Sequence, residues 1–206
     1  CDSATVNDIN NTAEVTEQLE LPSTDLNAAV LRKLTTLLKK LRKKSKIMGW
    51  VLDERKAYRQ LPILPDQRKW SVVGFKHHET KKPVFFVMIG HSFGLVSAVY
   101  NYNRRSAAIN DILVNLFEMV AFNFYDDKFG FEPEETAGSA KMIAEHVHFY
   151  LGAKFDEKKL QLADDPTILG VTYDLENMRL LIKDSRKLEL IEELKLIKRV
   201  GSLGPG

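Results

Sequence analysis

The sequence predicts an α+β domain, an antiparallel sheet packed with helices on one face. Three observations predict it. Short apolar runs of strand length are joined by polar turns, the mark of antiparallel hairpins. Longer stretches carry apolar residues at helical spacing. Finally, 206 residues with 44% hydrophobic and 28% charged side chains have the composition of one sizeable globular domain.

Taken in order, residues 1–24 are polar, acidic and turn-rich, and we expect them to be extended or poorly ordered. Asp25 is the expected cap of a helix starting at Leu26. There Val30, Leu34, Leu37, Leu38 and Leu41 recur at helical spacing. Lys33, Lys39, Lys40, Arg42 and Lys43 take the opposite face. That face is either solvated or a surface for a phosphate backbone. Lys46–Leu52 reads as a strand running into Asp53. Prolines 62 and 65 bound a turn, since proline cannot sit in a central strand. Trp70–Phe75 and Pro83–Ile89 form a hairpin across the polar turn His77–Lys82. A long helix is expected over Val96–Val120.

Next comes a second hairpin, Val120–Phe131, with Asp126-Asp127 at its centre. Glu132–Ala137 reads as a polar turn, and Ser139 as the cap of a helix over Ala140–Tyr150 that Gly152 ends. Lys154–Leu162 is a short strand with a turn. Thr167–Tyr173 and Met178–Ile182 pair across Glu176-Asn177, and Leu188–Ile197 is a last charged amphipathic helix. The start at Cys1 and the tail Gly201–Gly206 lead us to expect a processed chain or a piece of a longer one.

Several function classes are disfavoured. A net charge of +2 exerts no strong global pull toward nucleic acid, although local basic patches matter more than the total. The single cysteine excludes an internal disulfide framework and a cysteine-based metal site. No apolar run is long enough for a membrane span, and the start lacks a signal-peptide pattern. His146 and His148 are two apart on a helix and share no face, so they do not suggest zinc; nor does His77-His78.

Chemistry concentrates at Asp126-Asp127. Two adjacent carboxylates in an apolar, aromatic run must lie at an exposed bend or be neutralised by a cation. A surface turn is one reading. The other adds Asp53, at the end of an apolar strand: if the strands are neighbours, the carboxylates converge on one sheet edge. Such crowding raises carboxylate pKa values, and divalent metal relieves it. Hard oxygen ligands favour Mg²⁺ or Mn²⁺. Two such ions, about 3.5–4 Å apart, serve nucleotidyl transfer.

At these residues the sequence resembles the palm of a reverse transcriptase of the retroelement and pararetrovirus kind. Five segments agree in order: Leu52–Ile63, Ser92–Ala98, Phe124–Asp127, Leu151–Lys159, and Ile168–Val171 with its hairpin. The resemblance implies partial fingers within residues 1–49, a palm over 50–182 and the start of a thumb in 183–206. It implies that Asp53 and Asp126 bind two Mg²⁺ or Mn²⁺ ions and that Asp127 supports the site. Tyr58 would be a bulky gate under the sugar, favouring dNTP over rNTP, against the plainer reading of a core tyrosine. Phe93 and Gly94 would lie by the nascent base pair, and Lys159 near the departing pyrophosphate, unless it is simply solvated. Leu169 and Gly170 would position the primer 3′ end. Implied partners are primer–template nucleic acid, dNTP and a larger parent chain or assembly.

The match departs from the family at Ser92, where proline is common, at Asn123-Phe124, and at Glu54, an extra acid expected to face solvent. The resemblance implies template-directed DNA synthesis. The alternative is a catalytically inactive polymerase-derived domain serving as a structural or interaction subunit. A third reading, an unrelated nucleic-acid-binding module, explains the basic helix but not the carboxylates.

Overall fold

The structure, a computed structural model, describes the backbone of residues 8–200 and the side chains of residues 8–198. Cys1 and the tail Gly201–Gly206 lie outside them. A 3-10 turn at Ile9–Thr12 precedes α1 (Thr24–Lys40), β1 (Ile47–Asp53) and the single turn α2 (Ala57–Gln60). The hairpin β2 (Val72–Lys76) and β3 (Pro83–Val87) leads to the long α3 (Val96–Phe117). Strands β4 (Ala121–Phe124) and β5 (Asp127–Pro133) and helix α4 (Glu134–Tyr150) follow. The chain continues through β6 (Gln161–Ala163), β7 (Thr167–Ile168), β8 (Val171–Asp174), β9 (Arg179–Ile182) and α5 (Asp184–Val200).

All three sheets are antiparallel, as the hairpin pattern predicts. The central one has the order β4-β5-β1-β6; β2-β3 and β7-β8-β9 form the others. Side-chain alternation splits the central sheet into two faces. Trp50 and Leu52 of β1 pack with Leu113 of α3 and with Ala140 and Ala144 of α4. Ile47 and Val51 of β1 join Phe129 and Phe131 of β5 on the other face. There they meet Leu31 and Leu38 of α1 and Ile168 and Tyr173 of the β7-β8-β9 sheet. Helices therefore cover both faces, not one. The expectation missed this because α1 precedes the strand that it covers. Gly130 lies opposite Trp50. Its missing side chain admits the indole, since a Cβ there would lie 2.5 Å from Trp50 Cζ2.

Other boundaries differ from expectation. Ser23, not Asp25, caps α1, its hydroxyl accepting the Leu26 N–H at 3.1 Å; Asp25 sits in the first turn, where its charge suits the helix N-terminus. Helix α3 stops at Phe117, where Glu118 takes a left-handed conformation. Residues 134–137 are helical. Glu134 and Glu135 occupy the first turn of α4 after Pro133, and Ser139 is interior, its hydroxyl donating to the Thr136 carbonyl at 2.8 Å. Of the leader, residues 8–23 are described; beyond the 3-10 turn they carry no regular structure, as expected, yet two side chains tie them to α3 and the loop before it. Asn10 donates to the Gly94 carbonyl and accepts the Val96 N–H, both at 2.9 Å, and Glu17 pairs with Arg104 at 2.9 Å. Among the described residues no helix is long and apolar enough to cross a membrane.

Candidate functional site

Strand register builds the site. β1 and β5 pair so that Asp53 lies directly opposite Asp127. Opposed residues share a face, so the two carboxylates are neighbours. Phe124 and Asp127 close the β4–β5 hairpin, leaving Tyr125 and Asp126 as its two-residue turn. Tyr125 has φ 50, a left-handed conformation strained for a side chain of this size. The Asp126 carbonyl accepts the Glu54 N–H at 3.3 Å, which seats the turn beside the end of β1. All three acids thus meet at one end of the central sheet. Burial, then the Asp126 and Asp53 charges, push the Asp127 carboxyl above the ordinary carboxylate range.

Lys159 reaches this end through a stitched loop. Arg55 N–H donates to the Lys154 carbonyl at 2.8 Å, and Asp156 N–H to the Asp53 carbonyl at 3.0 Å. The Gln60 amide clamps Lys154, accepting its N–H at 2.7 Å and donating to its carbonyl at 2.9 Å. A 3-10 turn over Glu157–Lys159, capped by Asp156, then aims Lys159 Nζ at Asp53 Oδ2, 2.9 Å away. That bond and the Asp53 charge raise the Lys159 pKa. Although exposed, its ammonium has a defined carboxylate partner, unlike a freely solvated lysine.

Tyr58, on α2, sits edge-on between Phe93 and Tyr102, with ring centroids 5.0 and 5.1 Å away. Burial, then the nearby Asp126, raises its pKa. Phe93 and Gly94 come close because residues 88–93 run along residues 59–63. Ile63 N–H donates to the Ile89 carbonyl at 2.7 Å and His91 N–H to the Leu61 carbonyl at 3.1 Å. Gly94 has φ 86, a conformation glycine adopts readily. Asp53, Asp126, Asp127, Lys159, Tyr58 and Phe93 are therefore linked through one connected set of contacts. Leu169 and Gly170 lie on a different sheet, at the tip of the β7–β8 hairpin, both with positive φ. Among the described residues, no hydrogen bond or ring contact joins that tip to the carboxylates.

The sequence reading missed the layer beneath. Glu54, expected to face solvent, is buried, with Arg105 Nη1 donating to its Oε2 at 3.0 Å. Lys128 is also buried, its Nζ donating to the Tyr125 carbonyl at 2.6 Å and to the Tyr102 hydroxyl at 3.2 Å. Burial lowers the Lys128 pKa to about 8, against the raising effect of Glu54. Burial and Glu54 raise that of Tyr102. The burial of Lys128 follows from the register: it pairs with Leu52, on the strand face that packs against α3 and α4. The histidines occupy unrelated places. His77 Nδ1 accepts N–H groups from its own turn, while His148 is buried against Phe155.

With this geometry in hand, the whole chain compares with a solved structure of the foamy viral protease–reverse transcriptase in complex with double-stranded DNA. The match covers 96% of this chain with a TM-score of 0.57. The fold is reverse-transcriptase-like. Sequence identity is 11%, and the chain spans 29% of the length of that protein. No protein-family model matches the sequence, and no curated protein matches it. The reverse-transcriptase-like fold accounts for the antiparallel central sheet, and its likeness extends over nearly all of the chain.

Proposed function

We propose that this chain carries out template-directed DNA synthesis, transferring a nucleotide from dNTP to a primer 3′-hydroxyl. In this reading residues 50–182 are the palm, residues 1–49 supply part of the fingers, and residues 183–206 start the thumb. The observation that carries it is the register of β1 and β5, which sets Asp53 against Asp127 with the Asp126 turn alongside. The reverse-transcriptase-like fold supports it, and its solved neighbour was in complex with DNA.

The donor set fits divalent metal. Asp53 and Asp126 offer hard carboxylate oxygens, and the Lys159 ammonium already balances charge on Asp53. Among the described residues no three acidic, histidine or cysteine groups make a complete cage. Mg²⁺ needs none, because it is commonly held by one or two carboxylates together with substrate phosphates. Asp53 and Asp126 would hold two Mg²⁺ or Mn²⁺ ions. Bound there, such ions would supply activation of the attacking hydroxyl and stabilisation of charge on the phosphates.

The chain's own groups do the rest. The primer oxygen bonds to the α-phosphorus, the bond to the bridging oxygen breaks, and pyrophosphate leaves. Lys159, protonated before the step, can give its Nζ proton to the departing pyrophosphate and take another from solvent, while the 3′-hydroxyl proton leaves to solvent. In this reading the Tyr58 ring, braced by Phe93 and Tyr102, would stand under the sugar and exclude a 2′-hydroxyl. Leu169 and Gly170 support the primer end from the second sheet.

Primer extension by the full chain tests this reading, on RNA and on DNA templates with Mg²⁺ or Mn²⁺. Incorporation that Asp53→Asn and Asp126→Asn abolish supports it. No incorporation, or none that these variants change, leaves the polymerase-derived structural subunit as the better account.

A further inference from the structure

The polymerase reading gives no task to the charged group under the Tyr125–Asp126 turn. The Glu54 and Lys128 side chains are 0% and 2% exposed, and Glu54 Oε1 lies 3.8 Å from Lys128 Nζ. Arg105 Nη1 holds the other carboxylate oxygen at 3.0 Å. Three charges run in sequence from α3, through the end of β1, to β5. Buried ion pairs are often replaceable by apolar side chains without loss of stability. Stability alone therefore does not account for them.

Their placement suggests a task. Lys128 Nζ makes its shortest hydrogen bond, 2.6 Å, to the carbonyl of Tyr125, the residue with strained left-handed backbone. The direction of that carbonyl and the orientation of the Asp126 peptide are set together, because they belong to one planar unit. Its second bond, 3.2 Å, goes to the hydroxyl of Tyr102, whose ring packs against Tyr58. One buried ammonium thus touches the turn bearing Asp126 and the support of Tyr58.

We propose that Lys128 is a positioning residue: its ammonium, paired with the Glu54 carboxylate that Arg105 holds in place, ties down the Tyr125 carbonyl and thereby holds the Asp126 carboxylate beside Asp53. Glu54 acts through Lys128 and needs no contact with substrate. The catalytic consequence rests on the polymerase reading, whereas the hold on the turn does not.

The test uses the full chain with Lys128→Met, which keeps an unbranched side chain and removes the ammonium, and with Lys128→Arg, which restores a cation. Hydrogen exchange is read first. In Lys128→Met the amides of Tyr125, Asp126 and Glu54 should exchange about tenfold faster or more, while those of α1 and β8 stay unchanged. Primer extension is read second. The kcat should fall about tenfold or more with KM for dNTP little changed, and Lys128→Arg should recover part of the loss. Uniformly faster exchange in every element, or unchanged exchange at the turn, overturns the proposal. So does a loosened turn with unaltered kcat. If the wild-type chain incorporates no nucleotide yet the turn loosens as expected, the polymerase reading fails and the hold of Lys128 on the turn stands.

Discussion

Acidification should destabilise this fold through His148, and the structure sets the size of the effect. The ring lies in the last turn of α4, almost fully buried, 5.2 Å from the Phe155 ring. Nδ1 is 2.7 Å from the Ala144 carbonyl, which can only accept, so Nδ1 carries the proton. Nε2 then presents a lone pair with no partner among the described residues. Protonating it would place a charge in a buried pocket near two cations, Lys128 and Arg105. Burial lowers the pKa from 6.5 to about 4; the Ala144 bond and Glu54 oppose this, while Lys128 and Arg105 add to it. The unfolded chain therefore binds the proton more readily, and stability rises with pH between about 4 and 6.5. At about 1.4 kcal/mol per pKa unit, the full effect is about 3 kcal/mol, of which about 2 kcal/mol is lost by pH 5. Urea unfolding at pH 7.5 and pH 5, for wild type and His148→Gln, isolates it, because titrating carboxylates are common to both chains. Wild type should lose about 2 kcal/mol more than the variant. Equal losses would refute the neutral, buried histidine.

Three further outcomes follow from named contacts. Gly130→Ala should cost about 3 kcal/mol or more in thermal or denaturant unfolding, because its Cβ meets both the Trp50 ring and the Val120 carbonyl oxygen; a loss under about 1 kcal/mol would mean that the β4–β5–β1 packing yields easily. Tyr58→Val should reduce discrimination between dNTP and rNTP by about tenfold or more, read as the ratio of kcat/KM values; an unchanged ratio would reduce Tyr58 to a packing residue. Lys159→Met should lower kcat by about a hundredfold while barely moving the melting temperature, since the Lys159 end of its pair with Asp53 is exposed; an unchanged kcat would remove Lys159 from the chemistry.

Much of the fold was legible because its signals are local. The Ile47–Leu52 run, the His77–Lys82 turn and the double-Asp bend each state their structure within a few residues, and the observed strands follow them. The start of α4 misled because Glu132–Ala137 is polar and precedes Gly138 and Ser139. In the structure Pro133 sets the entry, and the two glutamates favour the helix N-terminus. The Asp53–Asp127 register became legible only once β1 and β5 were known to be neighbours. Glu54 and Lys128 were harder still. Each looks like an ordinary surface charge until partners 51 and 26 residues away in the chain, Arg105 and Tyr102, fold over them. The leader's grip on α3 through Asn10 is equally non-local.

Single-nucleotide incorporation tests the central claim most directly. Wild-type chain and Asp126→Asn are each given a primed template, one complementary dNTP and Mn²⁺, and the primer length is measured. The account predicts that wild type lengthens the primer by one nucleotide in a template-dependent manner and that Asp126→Asn does not. Equal products from both chains, or none from wild type, would contradict it.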